Sequence, residues 1–442
     1  MYAEILAQFI SSLKYDDIPK DVIKKAKELM LDTIGVSIAG RKEQSVIDAI
    51  KTIKNLPNSK GEAKIWSSDL KFSPNFAAMI NGISAHALDF DDTHTQAIFH
   101  GSSILTPICL TYGEGLNISH KQILTAFVAG WEVGARIGIA SKGSFHKRGF
   151  HTTAICGIFG ATTAMCVMLK LNKSECINAL GFAASYASGI NEFLSNGSNS
   201  KVLHIANCIN NAILISNFAK FGMFGPVSIF EGRDNIFKTF GYENECDKDE
   251  VTKDLGKIWQ TMQVSTKPYP CCHFAHGFIE CAILLKKDGI KADDIKHIKC
   301  FVDEVPINFI CEPLNDKYIP KTEYEAKFSM PFLMALGFFD ENINLESYKN
   351  LSRGELIKFS KKITYEKYIS KGFPKYFPGH LEAVLQSGNI VKKDVFINKG
   401  NFDNPLSFEE ILFKFKNCSH NVITSEEIDI IVNNIKNYEY LS

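Results

Sequence analysis

Residues 86–100 read His-Ala-Leu-Asp-Phe-Asp-Asp-Thr-His-Thr-Gln-Ala-Ile-Phe-His, which puts Asp89, Asp91 and Asp92 with His86, His94 and His100 inside fifteen residues. The run just before them, Phe76 to Ala85, is small and apolar, as in a buried helix. A buried helix that runs into acids and bases is costly unless those groups pair with each other or with a ligand. Such places are where pKa values shift and proton transfer becomes available. The residue types leave three readings open: acid/base or anion-binding chemistry, a divalent-metal site of carboxylate and imidazole, and a solvated loop of charges. The spacing matches no defined metal motif.

Three further segments carry similar chemistry. Lys147-Arg148-Gly149-Phe150-His151-Thr152-Thr153 stands where a long uncharged stretch begins. Free N–H groups at a helix start, with Arg148 and His151, could face an anion there; the alternative is a histidine capping a turn beside two surface cations. Ser195 to His204 is a Gly/Ser/Asn loop that opens into a helix with Lys201 at its start. It is either an anion cradle or a flexible loop with a surface lysine, and it lacks the spacing of a nucleotide P-loop. In Lys267-Pro268-Tyr269-Pro270-Cys271-Cys272-His273-Phe274-Ala275-His276, two prolines stiffen the approach and the histidines fall one helical turn apart. Zinc needs more ligands at defined spacing than this, and either histidine could be structural.

The elements that must position these groups are mostly helical in the first half. Apolar spacing predicts helices over residues 5–13, from Pro19 to about Gly40, and over roughly 74–88, 121–141, 152–170, 173–188 and 202–221. Gly130, Gly134 and Gly138, four residues apart, would let a second helix approach closely. After about residue 260 the period changes. Ile295 to Val302, Lys362 to Tyr365, and the pair Leu381–Leu385 and Val391–Ile397 around Ser387-Gly388-Asn389 read as strands and a hairpin, with helices near 273–287 and 326–338. From Ser407 the chain is helical again, with Ser407 and Glu410 in a capping-box pattern.

A chain of 442 residues exceeds one compact core and suggests two or three domains. Lys plus Arg equal Asp plus Glu at 49 each, so no global field recruits nucleic acid or an anionic membrane. The stretches 152–169 and 123–140 are apolar enough to raise a membrane span. The first is rich in Thr, Ala, Gly and Cys and the second carries Glu132 and Arg136, so buried helices are expected instead. The twelve cysteines form no Cys-x-x-Cys pair, and the opening Met-Tyr-Ala-Glu, with Asp16 and Asp17 soon after, does not suit a signal peptide. A cytoplasmic protein with reduced, buried thiols is the expectation.

Together these segments resemble the MmgE/PrpD family, which includes 2-methylcitrate dehydratases and cis-aconitate decarboxylases. The resemblance is carried by His86–Thr93, Arg148–Ala154, Glu192–His204, Gly225-Pro226 through Glu231-Gly232, Lys267–His276, Glu325–Phe332, and Lys399-Gly400 with Asn404-Pro405-Leu406-Ser407. It implies a mainly α fold: a large all-helical domain, here 1–260 and 401–442, with an inserted α+β lid domain over 261–400. It also implies a homodimer, no organic cofactor and no metal, and an active site between helical domain and lid. Carried over by position, Asp89, Thr93, His100, His151 and Lys201 become the catalytic group. Arg148, Lys267, His273 and His276 become candidates for binding substrate carboxylates. One departure stands out, since decarboxylases and many relatives have a tyrosine where this chain has Phe332.

The implied chemistry suits these residue types. Removing a proton beside a carboxylate creates an enediolate-like anion that cations and hydrogen-bond donors must stabilise. A histidine can take the carbon-bound proton or protonate a departing hydroxyl. His151 and His100 are the expected acid/base pair, with Asp89 orienting an imidazole and Thr93 holding a carboxylate, while Asp91, Asp92, His86 and His94 are expected only to support them. The expected activity is that of a hydro-lyase on a small di- or tricarboxylate such as 2-methylcitrate or citrate. Alternatives are a carboxy-lyase on cis-aconitate, which Phe332 disfavours, an epimerase of the iminodisuccinate type, and a non-catalytic metabolite-binding dimer.

Overall fold

The uncharged, small-residue runs become the inner helices of a bundle. The computed structural model describes residues 1–440, and in it helices His120–Ser141 and Thr152–Met168 are buried along almost their whole length. Glycine sets how closely they meet. A Cβ on Gly130 would lie 2.9 Å from the Gly160 carbonyl oxygen, and one on Gly160 would lie 2.9 Å from that of Gly130. Helix Ser200–Lys220 packs on Thr152–Met168 and on Pro74–His86, and Gly82 leaves room there for Ile205 and Ile209. Helix Lys20–Gly40 joins Pro74–His86 to the late helix Phe408–Ser419, whose capping box of Ser407 and Glu410 forms as the sequence predicts.

By length and composition alone, His120–Ser141 and Ser200–Lys220 could each cross a membrane. The apolar window of the first lies entirely inside the fold, which makes it a core helix, and half of the second window is buried. Of the twelve cysteines none is paired, and all but Cys246 are buried. Two features depart from a purely helical first half. Ala63–Lys64 and Lys71–Phe72 pair as a short antiparallel ribbon. Between Lys220 and Val264 the chain makes only short helical turns, of which Ile236–Phe240 is an example, because Gly222, Gly225, Pro226 and Gly232 interrupt it.

The chain divides into two compact units: Met1–Val264 together with the segment from Ser407 onward, and Ser265–Leu406. The second unit is built on a four-stranded sheet in the order Ile363–Lys367, Ile295–Val302, Gly379–Leu385, Ile390–Val395. The first pair is parallel and the others antiparallel, with Ile298 opposite both Ile363 and Ala383. Helices His276–Lys287 and Met330–Asp340 bury their apolar faces with those strands in one core. Gly277 and Gly379 touch backbone to backbone, since a Cβ on either would lie 2.4 Å or less from the other's main chain. That contact seats the start of the helix that carries His276 on the third strand.

Candidate functional site

Helix Pro74–His86 ends at the acid/base cluster. Asp89, three residues beyond it, has φ +55°, a left-handed position that Asp tolerates better than most residues. Its carboxylate is buried and receives Lys201 Nζ at 2.6 Å. Lys201 is the second residue of helix Ser200–Lys220, where a cation opposes the positive end of the helix dipole. A lysine at that place, paired with a carboxylate on a backbone conformation of low occupancy, is poor local design and therefore a functional signal.

The next turn returns on itself. His94 and Phe99 form a one-bridge hairpin, His94 N donating to Phe99 O at 2.8 Å, and this brings His100 back beside Thr93. His100 Nδ1 lies 2.6 Å from the Asp92 carbonyl oxygen and 3.2 Å from Thr93 Oγ1. A carbonyl oxygen only accepts, so Nδ1 carries a proton, and in the neutral form of His100 the lone pair is on Nε2. Asp91 stands between two imidazoles: its Oδ2 is 2.6 Å from His86 Nδ1 and its Oδ1 3.8 Å from His100 Nδ1. This is the carboxylate–imidazole pairing that fixes a tautomer and raises basicity. His86 is fully buried, and its Nε2 has no hydrogen-bond partner among the described residues.

His151 stands at the N-cap position of helix Thr152–Met168, without a side-chain capping bond, and adds a third imidazole. Ring centroids of His86 lie 5.4 Å from His100 and 5.8 Å from His151, and His151 lies 5.2 Å from His204. Burial holds His151 well below the usual histidine range, reinforced by His86 and Lys201. Burial likewise lowers His204 to about 4. Both are neutral near pH 7 and can donate at one nitrogen while accepting at the other. Asp92 is pushed the opposite way by burial, to about 8, and its Oδ1 accepts from Ser102 N at 3.3 Å. The cluster thus offers one tight ion pair, one carboxylate-held imidazole, and imidazoles kept free of charge by burial. Among the described residues no group of three or more His, Cys, Asp or Glu side chains is arranged to hold a metal.

In the second unit, Lys267, His273 and His276 are all buried. The two rings lie 4.7 Å apart, Tyr269 packs on His276 at 5.2 Å, and Phe377 stands edge-on to His273 at 5.1 Å. Asn398 Nδ2 lies 3.3 Å from His273 Nε2. Glu280, one turn after His276, is raised to about 7 by burial although its Oε1 accepts from Lys399 N at 2.7 Å. Gly400, at φ +84°, lets the approach to Lys267 pass against it: Thr266 N donates to Gly400 O at 2.8 Å, and a Cβ on Gly400 would collide with Thr266 O.

With this geometry in view, the MmgE/PrpD N-terminal domain matches residues 4–248 and the MmgE/PrpD C-terminal domain matches residues 269–437. The chain belongs to the MmgE/PrpD family. Similar proteins include a cis-aconitate decarboxylase-like protein of Aspergillus oryzae, 27% identical with 98% of this chain and 94% of that protein covered. The cis-aconitate decarboxylases of Mus musculus and Homo sapiens are 25% and 24% identical, each over 99% of this chain and 91% and 92% of their own length. The mouse and human relatives are, by name, carboxy-lyases.

The MmgE/PrpD fold of this chain brings Asp89, Thr93, His100, His151 and Lys201 into one cluster, each by a contact or ring approach given above. It does not bring Arg148 there. The Arg148 guanidinium donates to the carbonyls of Lys238 and Gly241, at 2.9 and 2.7 Å, and lies over the Tyr242 ring. Arg148 Nη1 is thereby engaged in tying surface loops together, and among the described residues no contact joins Arg148 to the imidazole cluster. His86 and Asp91, expected only as support, pair with each other, and the His86 ring lies next to those of both His100 and His151. His94 is structural: its Nε2 meets Gln260 Oε1 at 3.1 Å and its Nδ1 accepts from Ala97 N at 3.2 Å. Sequence reasoning missed His204. Its place one turn after Lys201 on the same helix was the available signal. Phe332 lies wholly in the apolar core of its unit and offers no polar atom beyond its backbone.

Proposed function

We propose that this chain is a lyase that needs no organic cofactor and acts on a small di- or tricarboxylate at the carbon beside a carboxylate. The observation that carries the reading is the buried Asp89–Lys201 pair set against imidazoles held neutral by burial. Neutral imidazoles can exchange a carbon-bound proton, and the lysine and Thr93 hydroxyl can meet the negative charge that develops. Lys267, His273 and His276 are the second unit's candidates for binding substrate carboxylates.

Similarity to decarboxylases over nearly the full chain favours loss of carbon dioxide from cis-aconitate or a close analogue. Phe332 favours the second reading, dehydration of 2-methylcitrate or citrate, since a phenyl ring cannot donate a proton or hold a carboxylate. Purified protein incubated with cis-aconitate, citrate, 2-methylcitrate and iminodisuccinate separates these outcomes. Carbon dioxide release supports decarboxylation, an unsaturated product with carbon retained supports dehydration, and optical change alone supports an epimerase. Turnover of none of them overturns the assignment.

The working form is proposed to be a homodimer. Phe221 and Phe224 are 82% and 89% exposed at the end of helix Ser200–Lys220, with Met223, Val227 and Leu214 also exposed. Apolar patches of this kind commonly mark association surfaces. Light scattering should give a dimer mass for the parent and a monomer mass for Phe224→Glu; a monomeric parent would refute the proposal.

A further inference from the structure

Among the described residues the His204 side chain has one hydrogen-bond partner, His151. The two Nδ1 atoms lie 3.0 Å apart. Like nitrogens share a hydrogen bond only if one carries the proton and the other a lone pair, so the pair has two tautomeric arrangements. When His204 donates, His151 has its proton on Nε2 and can act there as an acid. When His151 donates, its Nε2 bears a lone pair and can act as a base.

The surroundings are built for this contact. Gly189, at φ +113°, accepts from His151 N at 3.0 Å, and a Cβ at position 189 would lie 3.1 Å from His204 Cγ and Nδ1. Phe193 stands edge-on to both rings, with centroids 5.5 Å from His151 and 6.1 Å from His204. One turn after His204, Asn207 Nδ2 donates to Ser188 Oγ at 3.0 Å, which ties the helix to the residue before Gly189. His151 is buried, whereas His204 is half-buried, and among the described residues its Nε2 has no hydrogen-bond partner.

We infer that His204 is a positioning residue that selects the tautomer of His151 and passes the exchanged proton between His151 and solvent. The inference rests on the reading of His151 as an acid/base group. For loss of carbon dioxide, the bond to the carboxyl carbon breaks and its electron pair stays on the remaining carbon. That carbon takes the proton from His151 Nε2, His151 Nδ1 takes the proton from His204 Nδ1, and water protonates His204 Nε2 and is left as hydroxide. One solvent proton is consumed, both imidazoles stay neutral, and each changes tautomer. For dehydration the same pair runs in reverse. His151 Nε2 takes the carbon-bound proton, that C–H electron pair forms the double bond, and the neighbouring carbon–oxygen bond breaks with its pair on the departing hydroxide. His151 Nδ1 passes its proton to His204 Nδ1 while His204 Nε2 releases one to solvent, which neutralises the hydroxide to water.

The test uses the full-length His204→Ala and His204→Phe variants. In His204→Ala, kcat should fall about tenfold or more with KM within twofold, the solvent deuterium isotope effect should rise, and added imidazole should restore part of kcat. Unchanged kcat and isotope effect, or a loss confined to KM that imidazole does not restore, would overturn the inference. A second readout needs no turnover. In histidine-labelled enzyme, the nitrogen-15 shifts of His151, assigned with His151→Gln, should report a changed tautomer population in His204→Phe. An unchanged population also overturns it. If no carboxylate is turned over, the proposed function fails while this spectrum still decides the role of His204.

Discussion

At the scale of single residues, the proposed chemistry turns on which nitrogen or oxygen holds a proton, and Asp91 is the plainest case. Its carboxylate accepts from His86 Nδ1, and an amide in its place can present a donor to that nitrogen and force the other tautomer. Asp91→Asn should therefore cut kcat by about 10²–10⁴ with the fold intact, checked by steady-state rates beside a circular-dichroism melt. His94 gives a pH prediction. It accepts at Nδ1 and meets Gln260 at Nε2, and burial lowers it to about 4. Between that value and about 6.5 the unfolded chain binds the extra proton, so stability rises with pH there. The His94 contribution is complete above pH 6.5 and is lost, at about 1.4 kcal/mol per pH unit, as pH falls towards 4. Asp92 and Glu280, raised to about 8 and about 7, act with the opposite sign over their own windows. The difference between parent and His94→Gln, measured by urea unfolding at each pH, isolates the histidine: it should shrink from pH 7 to pH 4, and a constant difference would contradict the assignment. Much of the site was legible because its residue types are costly in a core: Asp89, His151 and Lys201 are buried, and His100 is half-buried beside them. The ranking within it was not legible. That His86 and not His94 touches the other imidazoles depends on the hairpin at residues 94–99, whose fold no local spacing announces.

At the scale of elements, the sequence spoke through period and punctuation. The helices and strands emerged close to where apolar spacing put them, because long periodic segments bury one face whatever surrounds them. No element is assigned to the segment after Lys220, since Gly and Pro mark only where helices stop and leave the path between stops to tertiary packing. The glycines in helix His120–Ser141 were readable as a close approach, although their partners, Gly160, Phe99 and Ala97, were not. That approach carries a prediction. At Gly130 a branched side chain would push against the Gly160 carbonyl and Leu105 Cδ2, which a Cβ would meet at 2.9 and 2.5 Å. Gly130→Val should cost about 1–3 kcal/mol in urea unfolding through overpacking. Because helix Thr152–Met168 carries His151 at its cap, a shifted helix should also lower kcat more than it raises KM.

At the scale of the whole molecule, the chain leaves its helical unit at Val264, builds the second unit, and returns from Ser407 to complete the first. The return delivers a charge to the back of the cluster. Lys414, on helix Phe408–Ser419, places Nζ 2.8 Å from Asp32 Oδ1 and 2.8 Å from the Phe90 carbonyl oxygen, and all three residues are buried. It thus clamps the backbone between Asp89 and Asp91 from a residue more than three hundred positions later in the chain. Burial raises Asp32 and Lys414 offsets that rise, so removing the lysine would strand a buried acid. Breaking one side of such a pair typically costs about 3–5 kcal/mol, whereas replacing both sides with neutral groups can be nearly free. Lys414→Met should therefore be strongly destabilised in urea unfolding, and Lys414→Met with Asp32→Asn should recover most of the loss. The Phe90 clamp separates stability from function. The double variant still lacks the donor to the Phe90 carbonyl, so its kcat should stay below the parent's even where its stability is restored. Full recovery of both would mean that Lys414 serves the fold alone and that the Asp89–Asp92 turn holds its shape without it.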